Sequence, residues 1–382
     1  MVRSSTWHWG ICASKRKTVW SAMRERSHPY RQQPDQAFWR RAVADVAPDA
    51  LTPVADFPVK ITPDTRIATA GSCFAQNIAR NLAKRGFNYY IAEPAHPIAT
   101  MIDGLAESFG YTMFSARYGN IYTARQLRQL IARAYGRFDP AEPGWQNAGG
   151  GWCDPFRPSV EPGGFASIGE MLADREKHLS AVREMFETLD IFVFTLGLTE
   201  GWEAIDDGAA FPICPGVQAG AFDPARYRFF NQTVAEVVAD MTDFFAHLNE
   251  VNPTAQVILT VSPVPLVATA EDRHVLVSTV ASKAILRAAA DELERAHDTA
   301  HYFPSFEIVT SSANASRYFA PDLRAVTDEA VDHVMRVFFQ AVTTQATSPQ
   351  APEPQHIPVS NSRQAEAIFQ TVCDEESLDP AP

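Results

Sequence analysis

From about residue 64 onward, short apolar runs rich in β-forming residues alternate with longer helical stretches. The run at 191–196, IFVFTL, is apolar at nearly every position, which is typical of a strand buried on both faces. Alternation of this kind predicts βαβ units and a parallel sheet. We therefore expect a doubly wound, flavodoxin-like α/β fold. Its five parallel strands are predicted at 65–70, 87–92, 191–196, 256–261 and, for the fifth, Tyr302 with 305–310.

The rest of the chain differs from this pattern. We expect an N-terminal arm at 1–60, a main domain at 61–345 with an insertion or cap at 97–190, and a disordered linker and tail at 346–382. Gly, Pro and Trp crowd part of the insertion, as in functional loops. Four prolines between residues 348 and 358 indicate the linker. A short amphipathic helix at 363–373 is predicted beyond it, as a possible contact for a protein partner.

Charge and cysteine spacing exclude several classes of protein. Lys and Arg number 33 against 45 Asp and Glu, a formal charge of −12, and so acidic a surface repels nucleic acid. The five cysteines are widely separated, without a CxxC pair, which argues against a zinc ribbon or a disulfide framework. No run reaches the roughly 18 apolar residues of a membrane-spanning helix. We expect a cytoplasmic protein without a metal or another cofactor.

In an open parallel sheet, ligands bind beyond the carboxyl ends of the strands. The motif GSCFA at 71–75 follows the first predicted strand and opens a helix. It places the hydroxyl of Ser72 and the thiol of Cys73 where a helix N-terminus lowers a thiol pKa and offers N–H groups to an oxyanion. A helix-capping serine beside a buried cysteine is the structural alternative.

Two further polar segments are candidates for the same site. Gly119 and Asn120 can supply a backbone N–H and a side-chain amide to an oxyanion, although a turn before the next helix explains them equally well. Gly197, Thr199 and Glu200 follow directly after the buried strand at 191–196. Burial of that strand does not explain its polar end, so these residues are predicted to bind substrate or an oxyanion.

Four motifs together resemble the GSCFA family, which is allied to the SGNH or GDSL hydrolases. They are GSCFA at 71–75, TLGLTE at 195–200, TVSPVPL at 260–266 and YFPSFEI at 302–308, and the resemblance covers about residues 60–345. SGNH enzymes are typically esterases or acyltransferases on a doubly wound parallel sheet. The resemblance therefore implies that fold and attack on an ester.

The resemblance also suggests roles for single residues. The Gly-Asp-Ser block of the SGNH enzymes matches 71–73, which puts Cys73 at the nucleophile position and Ser72 at the Asp position. The family name favours the serine and the register favours the cysteine, and both remain candidates. The glycine of the second block matches Gly119. The third block matches 197–200, with Thr199 in place of the oxyanion-binding asparagine.

The last block, Asp-x-x-His, is where the chain departs from the pattern. Asp322 is present, but Ala325 stands at the position of the general base. A serine nucleophile without a base is weak, which argues against a standard triad. A histidine from elsewhere is needed, and His274, on a predicted strand-end loop, is the favoured candidate over His96. His333 is predicted to lie on the polar surface of the closing helix.

The leading hypothesis is an acyl esterase or O-acyltransferase that forms a covalent acyl-enzyme. Its substrate is a small-molecule or carbohydrate ester, for example an acylated sugar, and hydrolysis and transfer both remain open. The alternative is a non-catalytic ligand-binding protein on a degenerate SGNH fold, as the alanine at position 325 suggests. A histidine within about 3 Å of Ser72 or Cys73 would favour the enzyme.

Overall fold

The computed structural model describes residues 28–54, 56–314, 317–343 and 374–379. The chain forms two compact units, 1–51 and 52–382. The described part of the first unit consists of short turns of 3₁₀- and π-helix: Pro29–Gln32, Asp35–Ala37, Arg40–Ala44 and Pro48–Ala50.

The second unit begins earlier than the main domain predicted at 61–345. Phe57 and Val59 are buried in one of its hydrophobic clusters. The N–H of Ile61 donates to the carbonyl of Val342 at 2.8 Å, at the end of the helix Asp328–Val342. Residues 52–60, which were expected in the arm, therefore belong to this unit.

The central sheet of the second unit is parallel, as predicted, and has four strands. They are β1 (Ile67–Gly71), β4 (Ile191–Leu196), β8 (Gln256–Val261) and β9 (Ala300–Tyr302), in that order across the sheet. All three pairings are parallel, so the carboxyl ends of the strands share one edge. The turns after β1, β4 and β8 therefore meet at that edge.

Helices cover both faces of this sheet. They are α1 (Cys73–Lys84), α2 (Pro97–Thr100), α3 (Leu105–Ser108), α4 (Ala124–Ala134), α5 (Ile168–Thr188), α6 (Val234–Val251), α7 (Val275–Ala296), α8 (Ser305–Thr310) and α9 (Asp328–Val342). Phe192 and Phe194 of β4 join the hydrophobic cluster formed with α4 to α7. Ile191 and Val193 point the other way, into the cluster formed with α1, α8 and α9. Burial on both faces explains the unbroken apolar run of β4. None of the helices in the described residues is long and apolar enough to cross a membrane.

Two strand predictions were wrong. The segment 87–92 contacts β1 through one isolated bridge, Ile67 to Tyr89, so it is not a strand. Residues 305–310 form α8 instead of extending the fifth strand. In α8 the buried positions are Ser305, Ile308 and Val309, the spacing of one helical face.

The outer edge of β1 is occupied by loops and side chains instead of a neighbouring strand. Ile67 exchanges backbone hydrogen bonds of 3.1 and 2.9 Å with the segment 87–92. The N–H of Thr69 donates to the hydroxyl of Ser115 at 3.0 Å, and the hydroxyl of Tyr118 donates to the carbonyl of Thr69. These bonds use the groups with which an additional strand would have paired.

Buried ion pairs hold the segment predicted as an insertion. The guanidinium of Arg157 donates to Asp154 at 2.9 Å and to Asp174 at 2.6 Å. Nδ1 of His178 lies 2.7 Å from a carboxylate oxygen of Glu93. We call these five residues, with Arg117 and Arg175, the insertion network.

Two small antiparallel sheets complete the unit. β2 (Trp145–Gln146) pairs with β3 (Trp152–Cys153), and β5 (Glu200–Ala204) lies between β6 (Ala210–Phe211) and β7 (Tyr227–Asn231).

The end of the chain also differs from the expectation of an unpacked tail. Asp374–Leu378 forms a short 3₁₀-helix in which Asp374 and Glu375 are buried. Their carboxylates have polar partners from the body of the unit, which are described below. The helix predicted at 363–373 lies outside the described residues.

Candidate functional site

The turn after β1 is tightly constrained at Gly71. Its φ is +144°, and a Cβ at this position would lie 2.6 Å from the carbonyl oxygen of Thr195 on β4. Only glycine therefore lets the chain turn here in contact with its neighbouring strand. Ser72 follows as the N-cap of α1, and Cys73 is the first residue of that helix. The side chain of Cys73 lies outside the described residues.

The hydroxyl of Ser72 is buried and has no hydrogen-bond partner in the part of the chain that the structure describes. The residue is 4% exposed, its side chain makes no capping hydrogen bond to α1, and its Oγ has no hydrogen-bond partner among the described residues. An unsatisfied buried hydroxyl costs about 1–3 kcal/mol, so such a group calls for an explanation. A bound ligand would supply the missing partner.

Gly197 lies directly opposite Ser72. A Cβ on Gly197 would approach the Cβ of Ser72 to 3.0 Å, so the glycine leaves room at the site. Its N–H is not free for an oxyanion, because it donates to the carbonyl of Tyr122 at 3.1 Å. Its carbonyl accepts from Nζ of Lys283 at 2.7 Å. Gly197 thus shapes the site and joins two other segments to it.

The segment that carries Gly119 and Asn120 lies beside the same turn. The N–H of Ile121 donates to the carbonyl of Gly71 at 2.8 Å. Nε2 of Gln76, from the first turn of α1, donates to Oδ1 of Asn120 at 3.3 Å. This contact fixes Oδ1 of Asn120 as the acceptor, so Nδ2 is the donor of the same amide. Gly119 has a φ of +69°, a conformation that glycine adopts readily.

Thr199 and Glu200 have structural partners. The hydroxyl of Thr199 donates to Oγ of Ser282 at 3.0 Å. The carboxylate of Glu200 accepts from the hydroxyl of Thr269 at 2.8 Å and from the N–H of Ala270 at 3.3 Å. Both residues therefore anchor parts of the chain that follow β8. Burial raises the pKa of Glu200, and the Thr269 hydrogen bond opposes that rise.

His274 and Asp322 stabilise local structure. Nδ1 of His274 accepts the N–H of Leu276 at 3.1 Å and caps α7. Oδ1 of Asp322 accepts the N–H groups of Arg324 and Ala325, each at 3.0 Å, and closes a turn. These hydrogen bonds all stay within three residues of the side chain that accepts them.

Two other histidines, His96 and His333, also have structural partners. Nδ1 of His96 accepts the N–H of Ile98 at 3.2 Å, so this residue caps α2. The prediction that His333 lies on the surface was wrong, because it is 3% exposed. Its Nδ1 lies 2.7 Å from the hydroxyl of Tyr318, a partner that allows the ring to be buried.

The C-terminal helix inserts its first carboxylate at this site. Oδ2 of Asp374 accepts from Nδ2 of Asn120 at 2.9 Å, and Oδ1 accepts from Nε2 of Gln218 at 3.4 Å. The N–H of Asp374 donates to the hydroxyl of Tyr122 at 3.0 Å. Burial raises the pKa of Asp374, and hydrogen bonds from Asn120, Ser159 and Gln218 oppose that rise.

The second carboxylate meets two basic side chains that the sequence analysis did not assign to the site. Nη2 of Arg324 lies 3.2 Å from Oε2 of Glu375. Lys283 is buried and interacts electrostatically with the same carboxylate. Burial lowers the pKa of Lys283, and Glu375 opposes that shift. In the structure Lys283 falls on the buried face of α7 with Ser282 and Leu286.

The described residues contain no group of three or more His, Cys, Asp or Glu side chains that could hold a metal ion. The polar side chains around the turn after β1 and the C-terminal helix are instead hydrogen-bond donors and basic groups. They are Ser72, Asn120, Gln218, Lys283 and Arg324.

The class of protein is thus an α/β protein with a parallel sheet, whose polar site lies at the strand-to-helix turn after the first strand. Comparison with protein families matches residues 66–338 to the GSCFA family. The chain therefore belongs to the GSCFA family. A comparison with curated proteins found no match.

Proposed function

We propose that this protein is an acyl esterase or O-acyltransferase related to the SGNH hydrolases, acting through a covalent acyl-enzyme. The observation that carries the proposal is the buried, unpaired hydroxyl of Ser72 at the start of α1, next to Gly197. A helix N-terminus offers N–H groups to a developing oxyanion, and the amide of Asn120 adds a donor nearby. Catalytic sites for acyl transfer need this combination.

Cys73 is the proposed nucleophile. As the first residue of α1 it stands where the helix dipole stabilises a thiolate. The thiolate attacks the ester carbonyl, a C–S bond forms, and the bond between the acyl carbon and the alkoxy oxygen breaks. The alkoxide takes a proton from solvent as it leaves. Water or a second alcohol then attacks the thioester, releases the acid or new ester, and returns the thiol.

A thiolate nucleophile also fits the alanine at position 325. A serine hydroxyl must lose its proton to a base during attack, whereas a thiolate has already lost it. Ser72 then serves as a donor to the oxyanion. The substrate class within this proposal is an ester of a small molecule or a carbohydrate. The proposal also includes a cytoplasmic location, which the widely separated cysteines favour.

The second candidate is a non-catalytic ligand-binding protein. It is favoured by a specific observation, namely that Nδ1 of His274 and Oδ1 of Asp322 already bind backbone N–H groups. Without a general base the same site would bind a ligand and leave it intact.

Labelling with acyl probes separates these functions. Full-length protein is incubated with aryl acetates and with thiol- and serine-directed acyl probes, and mass spectrometry locates the adduct. We expect an adduct on Cys73, its loss in Cys73→Ala, and a decrease of less than about a hundredfold in Ser72→Ala. Cys153→Ala, at a buried free cysteine of β3, is the matched control and keeps full labelling.

Labelling that survives in Cys73→Ala but disappears in Ser72→Ala would assign the nucleophile to the serine. Absence of labelling by every probe would favour the ligand-binding protein.

A further inference from the structure

The two carboxylates of the C-terminal helix occupy a pocket that belongs to the body of the protein. Asp374 is bound by the neutral donors of Asn120 and Gln218, and Glu375 by the guanidinium of Arg324, with the buried side chain of Lys283 close enough to interact electrostatically. Both acidic residues are buried although the chain carries a formal charge of −12. The pocket therefore offers amide donors to one carboxyl group and a guanidinium to its neighbour, although burial raises the pKa of both.

This pocket is continuous with the candidate site. Asn120 bonds to Gln76 on α1, and Lys283 bonds to the carbonyl of Gly197, which faces Ser72. A ligand that replaced the two carboxylates would lie beside the nucleophile turn.

An apolar cavity of about 240 Å³ adjoins the acidic pair. Its walls include Leu198, Trp202 and Leu266, and the C-terminal helix contributes Glu375 and Leu378 to them. The cavity can therefore take the apolar part of a ligand whose acidic groups bind in the pocket.

The burial of Lys283 and Arg324 bears on which ligand could replace the carboxylates of the C-terminal helix. Lys283 is 3% exposed, and the side chain of Arg324 is 16% exposed. Buried cations left without an anion are strongly destabilising. If the C-terminal helix leaves, Arg324 loses its carboxylate partner, and a ligand carboxylate in the same position would restore that ion pair.

We propose that this pocket binds a ligand with two neighbouring carboxylates, and that Asp374 and Glu375 of the same chain occupy it as a stand-in. That this ligand is also the substrate rests on the proposed function. In that case the ester carries its two carboxylates next to the reacting carbonyl. The binding of a dicarboxylate does not depend on that function. The C-terminal helix competes with this ligand and holds the site closed to it.

Binding to the full-length chain tests the proposal directly. The probe is a fluorescent peptide with the sequence of residues 374–382, DEESLDPAP, and binding is followed by fluorescence anisotropy. In the variant Asp374→Asn/Glu375→Gln the internal competitor is weakened, so the peptide should bind at least about tenfold tighter than to the parent chain. Asp379→Asn, an exposed acidic residue of the same segment, is the matched control and should bind as the parent does.

The pocket residues and the ligand class are tested in the same assay. Added to the Asp374→Asn/Glu375→Gln chain, Arg324→Gln should weaken peptide binding by at least about tenfold. Glutarate should displace the peptide at a concentration about tenfold lower than valerate, which has one carboxylate. Asn120→Ala is a second pocket variant, in case Arg324→Gln does not fold as judged by circular dichroism.

Equal peptide binding to all three full-length chains would overturn the proposal. So would binding that folded Arg324→Gln and Asn120→Ala leave unchanged, or displacement by glutarate and valerate at equal concentrations. Binding without labelling by any acyl probe would retain the pocket for a dicarboxylate and reject the esterase. Labelling without peptide or glutarate binding would retain the esterase and reject the pocket for a dicarboxylate.

Discussion

The insertion network and the candidate site are both buried and polar, but they satisfy their charges differently. In the network, Asp154 accepts from Arg157 and Arg175, each at 2.9 Å, and its partners lie within 21 positions along the chain. At the site, the hydroxyl of Ser72 has no partner in the described residues. In the part of the chain that the structure describes, Arg324 pairs with the buried carboxylate of Glu375, 51 positions away in the C-terminal helix. The network holds a segment in place, whereas the site is arranged so that its partners can be exchanged.

The largest loss of stability is expected when a central carboxylate of the insertion network is removed. Asp154→Ala leaves the buried guanidiniums of Arg157 and Arg175 without their shared anion, and we expect a loss of about 3–5 kcal/mol in the free energy of unfolding. Urea denaturation followed by circular dichroism measures it. The control Asp291→Ala removes a half-exposed carboxylate on α7 and should cost at most about 1 kcal/mol. Equal losses in the two variants would show that the network does not hold the fold.

The second largest loss of stability is expected at low pH, where Glu93 of the insertion network becomes protonated. Although burial opposes ionisation, His178, Arg157 and the N–H of Arg117 lower the pKa of Glu93 to about 2 from 4.5. The native state therefore favours the carboxylate, so its contribution is complete above pH 4.5 and is lost as pH falls towards 2. That contribution is roughly 3 kcal/mol.

Thermal unfolding between pH 6 and pH 2.5 measures this dependence. In Glu93→Gln the midpoint should fall less steeply below about pH 4.5 than in the parent chain. Glu292→Gln, on the exposed surface of α7, should keep the parent's slope. Parallel curves for all three proteins would argue against an ionised Glu93 in the native state.

The smallest effect on stability is expected at the site itself. Ser72→Ala removes a hydroxyl that has no partner, so the free energy of unfolding should change by less than about 1 kcal/mol, or should rise. Ser115→Ala is the contrasting control, because its hydroxyl accepts the N–H of Thr69 and its removal should cost about 1–3 kcal/mol. A larger loss in Ser72→Ala than in Ser115→Ala, measured by urea denaturation, would mean that Ser72 has a structural partner after all.

Much of the sheet could be predicted from local pattern. The run at 191–196 indicated burial on both faces, and its alternate residues do enter two different hydrophobic clusters. The segment 87–92 was misassigned because its β-forming residues do not indicate that other segments already form hydrogen bonds along the outer edge of β1. The α8 segment was misassigned because one buried helical face and a short apolar run look alike over six residues.

The position of the candidate turn was predictable, whereas its acidic partner was not. GSCFA has the form of a strand-to-helix turn, and the structure places α1 directly after Ser72. The contact between Asn120 and Asp374 joins residues 254 positions apart. Composition suggested a disordered tail because the prolines of the linker dominate the local pattern. Complementarity with a pocket on the body of the protein is a tertiary property that no local pattern contains.

The bonds along the outer edge of β1 also bear on association between molecules. A sheet edge with unpaired N–H and C=O groups is a template for strand addition and aggregation. Here Ile67, Thr69 and Gly71 have already bonded to other segments, so a second chain finds no free ladder at this edge. At the opposite edge β9 has only three residues, which is too short a template to propagate pairing. The central sheet is thereby protected from intermolecular growth on both sides.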